Sequence, residues 1–219
     1  MYKEKMTLSA EIEPMHSAEE GCIVAVTFGN LLKLKKIRVE RHGNKGVSLE
    51  MPTKDGDDVF CFCDNGMEAS VKKAVAEVVN QPLSGKVNRT KGQGISLNPE
   101  KIVANIWQKR ESDCCDSLLA RADAVLDGKI MLLGLEIHCL RGNLFLLHPS
   151  MEKELGIEPF VEFFSSDYAE QVEKVVLTAY KSSGMFLGPI QREYVPSTDS
   201  VKKALFQWGS MGKKRGAMG

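Results

Sequence analysis

One pattern constrains this chain more than any other: the same order of secondary-structure signals runs through it twice. Alternating apolar segments at Leu8–Ile12 and Ile102–Trp107 read as opening strands. Cys22–Phe28, a Gly29-Asn30 turn and Leu31–Leu34 match Leu118–Leu126, an Asp127-Gly128 turn and Lys129–Leu132. Asp-Gly is a strong signal for a two-residue hairpin turn. Each series then continues as strand, Gly/Asn turn and strand, ending at Pro52-Thr53 in one and at Pro149-Ser150 in the other. Aromatic strands follow at Val59–Phe62 and Phe160–Phe164, and each leads into a helix. The first helix, from Glu68 to Val79, carries Val71, Ala74, Val75, Val78 and Val79 on one face. The second is capped by Ser165 or Ser166 and buries Tyr168, Val172, Val175, Val176 and Tyr180. The copies are offset by about 97 residues, a true internal repeat. Four or five strands followed by one helix make a small two-layer α+β unit.

The repeat divides the chain into a first unit at 1–82, a linker at 83–99, a second unit at 100–183 and a C-terminal extension at 184–219. The linker is rich in Gly and basic residues and holds no acid between Gln81 and Gly94. In the extension, Ser197–Ser200 caps a short helix holding Val201, Ala204, Leu205 and Trp208, with Phe206 and Trp208 expected to dock on the body. A basic tail with Lys213, Lys214 and Arg215 follows.

Composition narrows the function classes. With 43% hydrophobic and 26% charged residues the chain is an ordinary folded protein. No run approaches the roughly 18 apolar residues of a membrane helix, and no secretory signal opens the sequence, so a cytoplasmic protein away from membranes is expected. The six cysteines (Cys22, Cys61, Cys63, Cys114, Cys115, Cys139) form no C-x-x-C pair, and the four histidines show no metal spacing. Reduced structural thiols are expected, with no metal and no cofactor. Gly92-Gln93-Gly94 lacks the strand, helix and downstream acid of a dinucleotide site, and no small-molecule substrate is expected.

The ordered string resembles the stage V sporulation protein G (septation protein) family of bacteria. In the first copy the carrying residues are Ile37-Arg38-Val39, Gly43 to Gly46, Met51-Pro52-Thr53-Lys54, Asp57-Asp58 and the helix with Ala74-Val75. In the second they are Leu135-Glu136-Ile137, Leu144-Phe145, His148-Pro149-Ser150 and Val175–Tyr180. The likeness covers residues 5–82 and 100–182, about three quarters of the chain. It implies a small α+β domain that pairs as a homodimer, here as two tandem units forming an intrachain pseudo-dimer. It also implies a non-enzymatic regulatory role in binding DNA or RNA. Units this small bury more surface by pairing. Two departures matter. The basic helix-start positions are lost in both copies, at Met67–Ser70 and Tyr168–Gln171, and Arg38 has become Glu136 in the second copy.

On this reading the phosphate contacts are Arg38, Lys54, Lys72 and Lys73 of the first unit with Lys86, Arg89 and Lys91 of the linker. The densest basic stretch is Lys33, Lys35, Lys36, Arg38 and Arg41. It reads either as a phosphate-contacting strand or as an edge strand guarded by lysine. Trp107, Phe60, Phe62, Phe163 and Phe164 are read as core rather than base platforms. His148 stands where Met is expected, and with His138 and Cys139 it raises nucleophilic chemistry, which needs a pocket where Cys, His and carboxylate converge. The alternative to nucleic-acid binding is a protein–protein adaptor, favoured by the balance of 29 basic and 29 acidic residues. Self-association through free sheet edges is a further expectation.

Overall fold

The computed structural model describes residues 6–13, 22–42, 46–80, 93–95, 97–109, 115, 117–153 and 156–185. The first series forms β1 (Met6–Ile12), β2 (Cys22–Phe28), β3 (Leu32–Arg41), β4 (Val47–Glu50), β5 (Thr53–Lys54), β6 (Asp57–Asp58), β7 (Phe60–Phe62) and helix α1 (Asn65–Val79). A short strand, β8 (Gln93–Ile95), follows. The second series forms β9 (Ile102–Gln108), β10 (Leu118–Leu126), β11 (Ile130–Leu140), β12 (Asn143–Leu147), β13 (Ser150–Lys153), β14 (Gly156–Pro159), β15 (Val161–Phe163) and helix α2 (Ser166–Ser182). The fold is α+β, with antiparallel sheets and two helices.

Strand order repeats with the sequence. In one sheet β1, β2, β3 and β4 pair in succession; in the other β9, β10, β11 and β12 do the same. Alternation drives this: β10 buries every second residue from Leu118 to Leu126. The hairpin turns are built on residues in the left-handed region, Asp127-Gly128 and Arg141-Gly142, the type I′ arrangement. After its fourth strand each unit makes a small hairpin, β5–β6 or β13–β14, and then crosses over. β7 pairs with β11 of the other unit, and β15 pairs with β3. Matching backbone bonds frame both crossings. Leu133 donates to the Val59 carbonyl at 2.8 Å and Lys35 to that of Phe160 at 2.8 Å. Cys63 donates to Lys129 at 2.8 Å and Phe164 to Leu31 at 2.9 Å. Each sheet is therefore completed by a strand of the other unit.

The helices close the outer layer. α1 packs on β1, β2 and β4, and α2 on β9, β10 and β12. Asp64 caps α1 by accepting from the Met67 N–H at 2.6 Å, and Ser165 caps α2 by accepting from Tyr168 at 3.2 Å. The expected stripe of α1 is fully buried; in α2, Val175 sits at its margin. The buried side chains of both units form one continuous cluster.

Three readings are corrected. Lys35-Lys36 does not separate two strands: β3 runs through, with a bulge where Lys36 adopts φ 65° opposite Ala25. Nor is β3 an edge, since β2 lies on one side and β15 and β4 share the other. Within the segment read as linker, Gln93–Ile95 is a strand on the outer side of β1, and Ile95 and Leu97 are buried. The extension beyond Met185 lies outside the described residues, as do Lys86, Arg89 and Lys91.

Candidate functional site: the charged faces of the two sheets

The basic stretch on β3 meets acids supplied by its neighbours. Lys33 is paired with Glu11 of β1. Lys35 Nζ lies 2.8 Å from Glu162 of β15, so this pair joins the two units. Lys36 Nζ lies 3.1 Å from Glu13 and 3.7 Å from Glu158 of β14, a second link across the units. Arg38 lies opposite Glu50 in the β3–β4 ladder and pairs with it at 3.2 Å. Arg41 donates to the Val79 carbonyl at the C-terminal end of α1, where a cation complements the helix dipole.

Charge is inverted at the matching position of the second sheet. Glu136 occupies in β11 the place that Arg38 holds in β3, and Arg121 of β10 lies directly opposite. Glu136 takes Arg121 at 3.6 Å, Lys54 from the β5–β6 hairpin at 3.6 Å and His138 Nε2 at 3.2 Å. Burial pushes its carboxyl up, but the His138 hydrogen bond and the Lys54, His138 and Arg121 charges outweigh that and hold it below the ordinary value. Lys54 is thus a tie between the units, turned toward Glu136 at its tip.

His138 extends this network inward. Its ring stacks on Phe145 with centroids 5.6 Å apart. Because carboxylate can only accept, Nε2 donates to Glu136, while Nδ1 lies 2.9 Å from Ser117 Oγ. Cys115 Sγ lies 3.1 Å from Ser117 Oγ. Cysteine, serine, histidine and carboxylate do converge here, as the sequence reading required for nucleophilic chemistry, but on Cys115 rather than Cys139 or His148. In the described geometry the chain fastens the start of β10 to β11: both His138 nitrogens are engaged, and Glu136 is already compensated by two cations. Elsewhere, burial and the neighbouring Cys63, Asp58 and Asp123 push the Cys61 thiol up to about 11, which keeps it protonated and weakly nucleophilic at neutral pH. His148 is separate from this cluster, its ring 5.2 Å from Phe163.

The helix starts are acidic. Asp64 and Glu68 open α1, and Asp167 opens α2, so carboxylates already occupy the anion-favouring ends. Lys72 pairs with Glu68 at 2.6 Å, one turn back. Lys73 is exposed and has no ion-pair partner among the described residues. Of the contacts expected from sequence, Arg38, Lys54 and Lys72 are therefore paired, and they stand on different elements. Phe60 is core, as expected, while Phe164 is exposed. Trp107 is also exposed, with its Nε1 donating to Asp123 Oδ2 at 2.7 Å. The signal for the Glu136–His138 pair was present in sequence, since residues two apart on a strand share a face. Its partner Ser117 is twenty-one residues away from His138 and had no local mark.

No family model, curated protein or solved structure matches this chain.

Proposed function

We propose that this chain is a non-enzymatic interaction protein built as an intrachain pseudo-dimer, and that its partner surface takes protein rather than nucleic acid. The observation that carries this reading is the pairing of the basic stretch. Lys33, Lys35, Lys36 and Arg38 each face a carboxylate of the same chain. Phosphate binding draws its free energy from releasing counterions around neutralised phosphates. A lysine already matched to a buried or half-buried glutamate contributes little to that exchange, because the glutamate would be left uncompensated. The ordered motif string alone carries the likeness to the stage V sporulation protein G family and, with it, a regulatory role in the cytoplasm.

Nucleic-acid binding is the second reading. It is favoured by exposed Lys73 beside Lys72 on α1, the helix that leads into the segment holding Lys86, Arg89 and Lys91. The two readings separate in a salt titration with mixed duplex DNA and single-stranded RNA, between about 50 and 200 mM salt. The whole chain is expected to show no steep salt-dependent binding. Affinity that falls steeply with salt, and is lost in Lys72→Glu/Lys73→Glu, overturns the protein reading in favour of phosphate contacts by the first unit.

A further inference from the structure

The two outer edges of the paired sheets are counterparts treated differently. β1 opens the first sheet, and β8 covers its outer side with Met6 opposite Ile95 and Leu8 opposite Gln93. β9 holds the same place in the second sheet, and no strand pairs with its outer side among the described residues. Among the described residues, its outward backbone groups form an open ladder. Asp127 N–H donates to the Lys101 carbonyl at 2.6 Å, which sets the antiparallel alternation. Lys101, Val103, Asn105 and Trp107 turn their backbone groups toward β10. Ile102, Ala104, Ile106 and Gln108 turn theirs outward.

The side chains make this edge unusual. Val103 is 62% exposed and Trp107 54% exposed. From Ile102 to Gln108 the strand has no charge and no proline, the two devices that commonly blunt an edge. Lysine stands only outside it, at Lys101 and Lys109.

We propose that β9 is a self-association edge, closed by β9 of a second copy of this chain in antiparallel register about Asn105. The strand is complementary to itself in that register alone. With Asn105 opposite Asn105, the outward backbone groups of Ala104 meet those of Ile106, and those of Ile102 meet Gln108. Val103 then lies beside the partner's Trp107 twice, so both exposed apolar side chains are covered as cross-strand neighbours. Sliding by two residues keeps the backbone groups facing but sets Val103 or Trp107 against Asn105 and shortens the overlap. Small Ala104 opposite Ile106 avoids crowding on the inner face. One feature opposes the pair: Lys101 of each copy lies opposite Lys109 of the other. Added salt screens that repulsion, so the association tightens with ionic strength, the opposite of phosphate binding.

The inference deepens the protein-interaction reading, and its failure is distinguishable, because a monomer removes this edge as a contact without creating nucleic-acid affinity. The test is sedimentation velocity on the full chain from about 1 to 200 µM protein, a span that reaches weak dimers. It is run at low salt and again at about 0.5 M salt, where the Debye length is short. A dimer that tightens with salt is expected. Val103→Lys, at an exposed position, and Ala104→Pro, whose N–H faces the open edge, should each weaken it at least about tenfold. Unchanged circular dichroism shows that each variant keeps its fold; if Ala104→Pro does not fold, Val103→Lys carries the test. A chain that stays monomeric throughout overturns the proposal, as does a dimer that Val103→Lys leaves intact.

Discussion

His148 shows how one residue sets a pH dependence in this molecule. The first copy has Met51 before Pro52, whereas the second has His148 before Pro149. The histidine therefore sits where the repeat calls for an apolar side chain. Its Nδ1 is enclosed without a hydrogen-bond partner among the described residues, and its ring lies against Phe163. Burial disfavours the charged ring and pushes its pKa down to about 4. The unfolded chain takes up a proton near pH 6.5, before the folded one does, so the native state loses stability as pH falls from there toward about 4. His148 is half-buried as a whole, which discounts the amplitude to about 2 kcal/mol. His148→Met should flatten this limb of the stability–pH curve measured by urea unfolding. An unchanged slope between pH 6.5 and 4 in the variant would assign the acid limb to other groups.

At the scale of elements, the bulges in β3 and β11 carry the clearest sign that the two units share one plan. Lys36 and Gly134 lie at matching positions, both at φ 65°. In each sheet the ladder slips at that point, between Val24 and Val26 and between Ala122 and Ala124. A carboxylate receives the freed N–H in both: Glu13 takes Lys36 at 3.4 Å, and Asp123 takes Gly134 at 3.2 Å. Glycine adopts this conformation without cost, whereas lysine holds it while its ammonium pairs with Glu13 and Glu158. Gly134→Ala should therefore destabilise by about 1–2 kcal/mol, the left-handed penalty of an L-residue. Space is not the issue, since the added Cβ would meet only Pro149 Cγ at 3.9 Å. Urea unfolding of Gly134→Ala with no loss would mean that the bulge relaxes out of the positive-φ region. These elements also mark the limit of what the residues disclose in one dimension. β2 and β10 were legible to the residue: β10 alternates strictly, and β2 is a near-continuous apolar run, with Val24, Ala25 and Val26 all buried, that stops at the Gly29-Asn30 turn. β3 was read as two strands because consecutive Lys35 and Lys36 break that alternation, which is what a bulge does. Phe60–Phe62 and Val161–Phe163 were legible as strands but not as exchanged ones, since partner choice is a non-local matter of which edge is free. The charged site was hidden for the same reason: Lys35, Lys36 and Lys54 look solvated until Glu162, Glu158 and Glu136 arrive from the other unit.

Reciprocal exchange has a consequence for the whole molecule. A sheet that lacks its fifth strand exposes the apolar side chains beneath it and an open backbone edge, and here each unit supplies that strand to the other. The salt links between units fall at the same junctions, with Lys35–Glu162, Lys36–Glu158 and Lys54–Glu136 reaching across. Phe28 and Phe62, from different sheets, face each other with centroids 6.5 Å apart. The buried side chains accordingly form one cluster rather than two. A molecule whose sheets exchange strands this way should unfold as one cooperative unit, and damage to the first unit should be felt in the second. Phe60 offers the direct trial: it lies in β7, is fully buried, and stands opposite Leu132 of the second unit. Phe60→Ala should cost about 3–5 kcal/mol. With Trp208→Phe as background, Trp107 on β9 becomes the sole indole and reports on the second unit alone. Its fluorescence transition should shift to lower denaturant together with the far-ultraviolet circular dichroism signal of the whole chain, because coincident probes mark a two-state transition. If Trp107 instead keeps its midpoint while the circular dichroism curve splits, the second unit holds its fold without β7, and the exchanged strands are decoration on two independent domains.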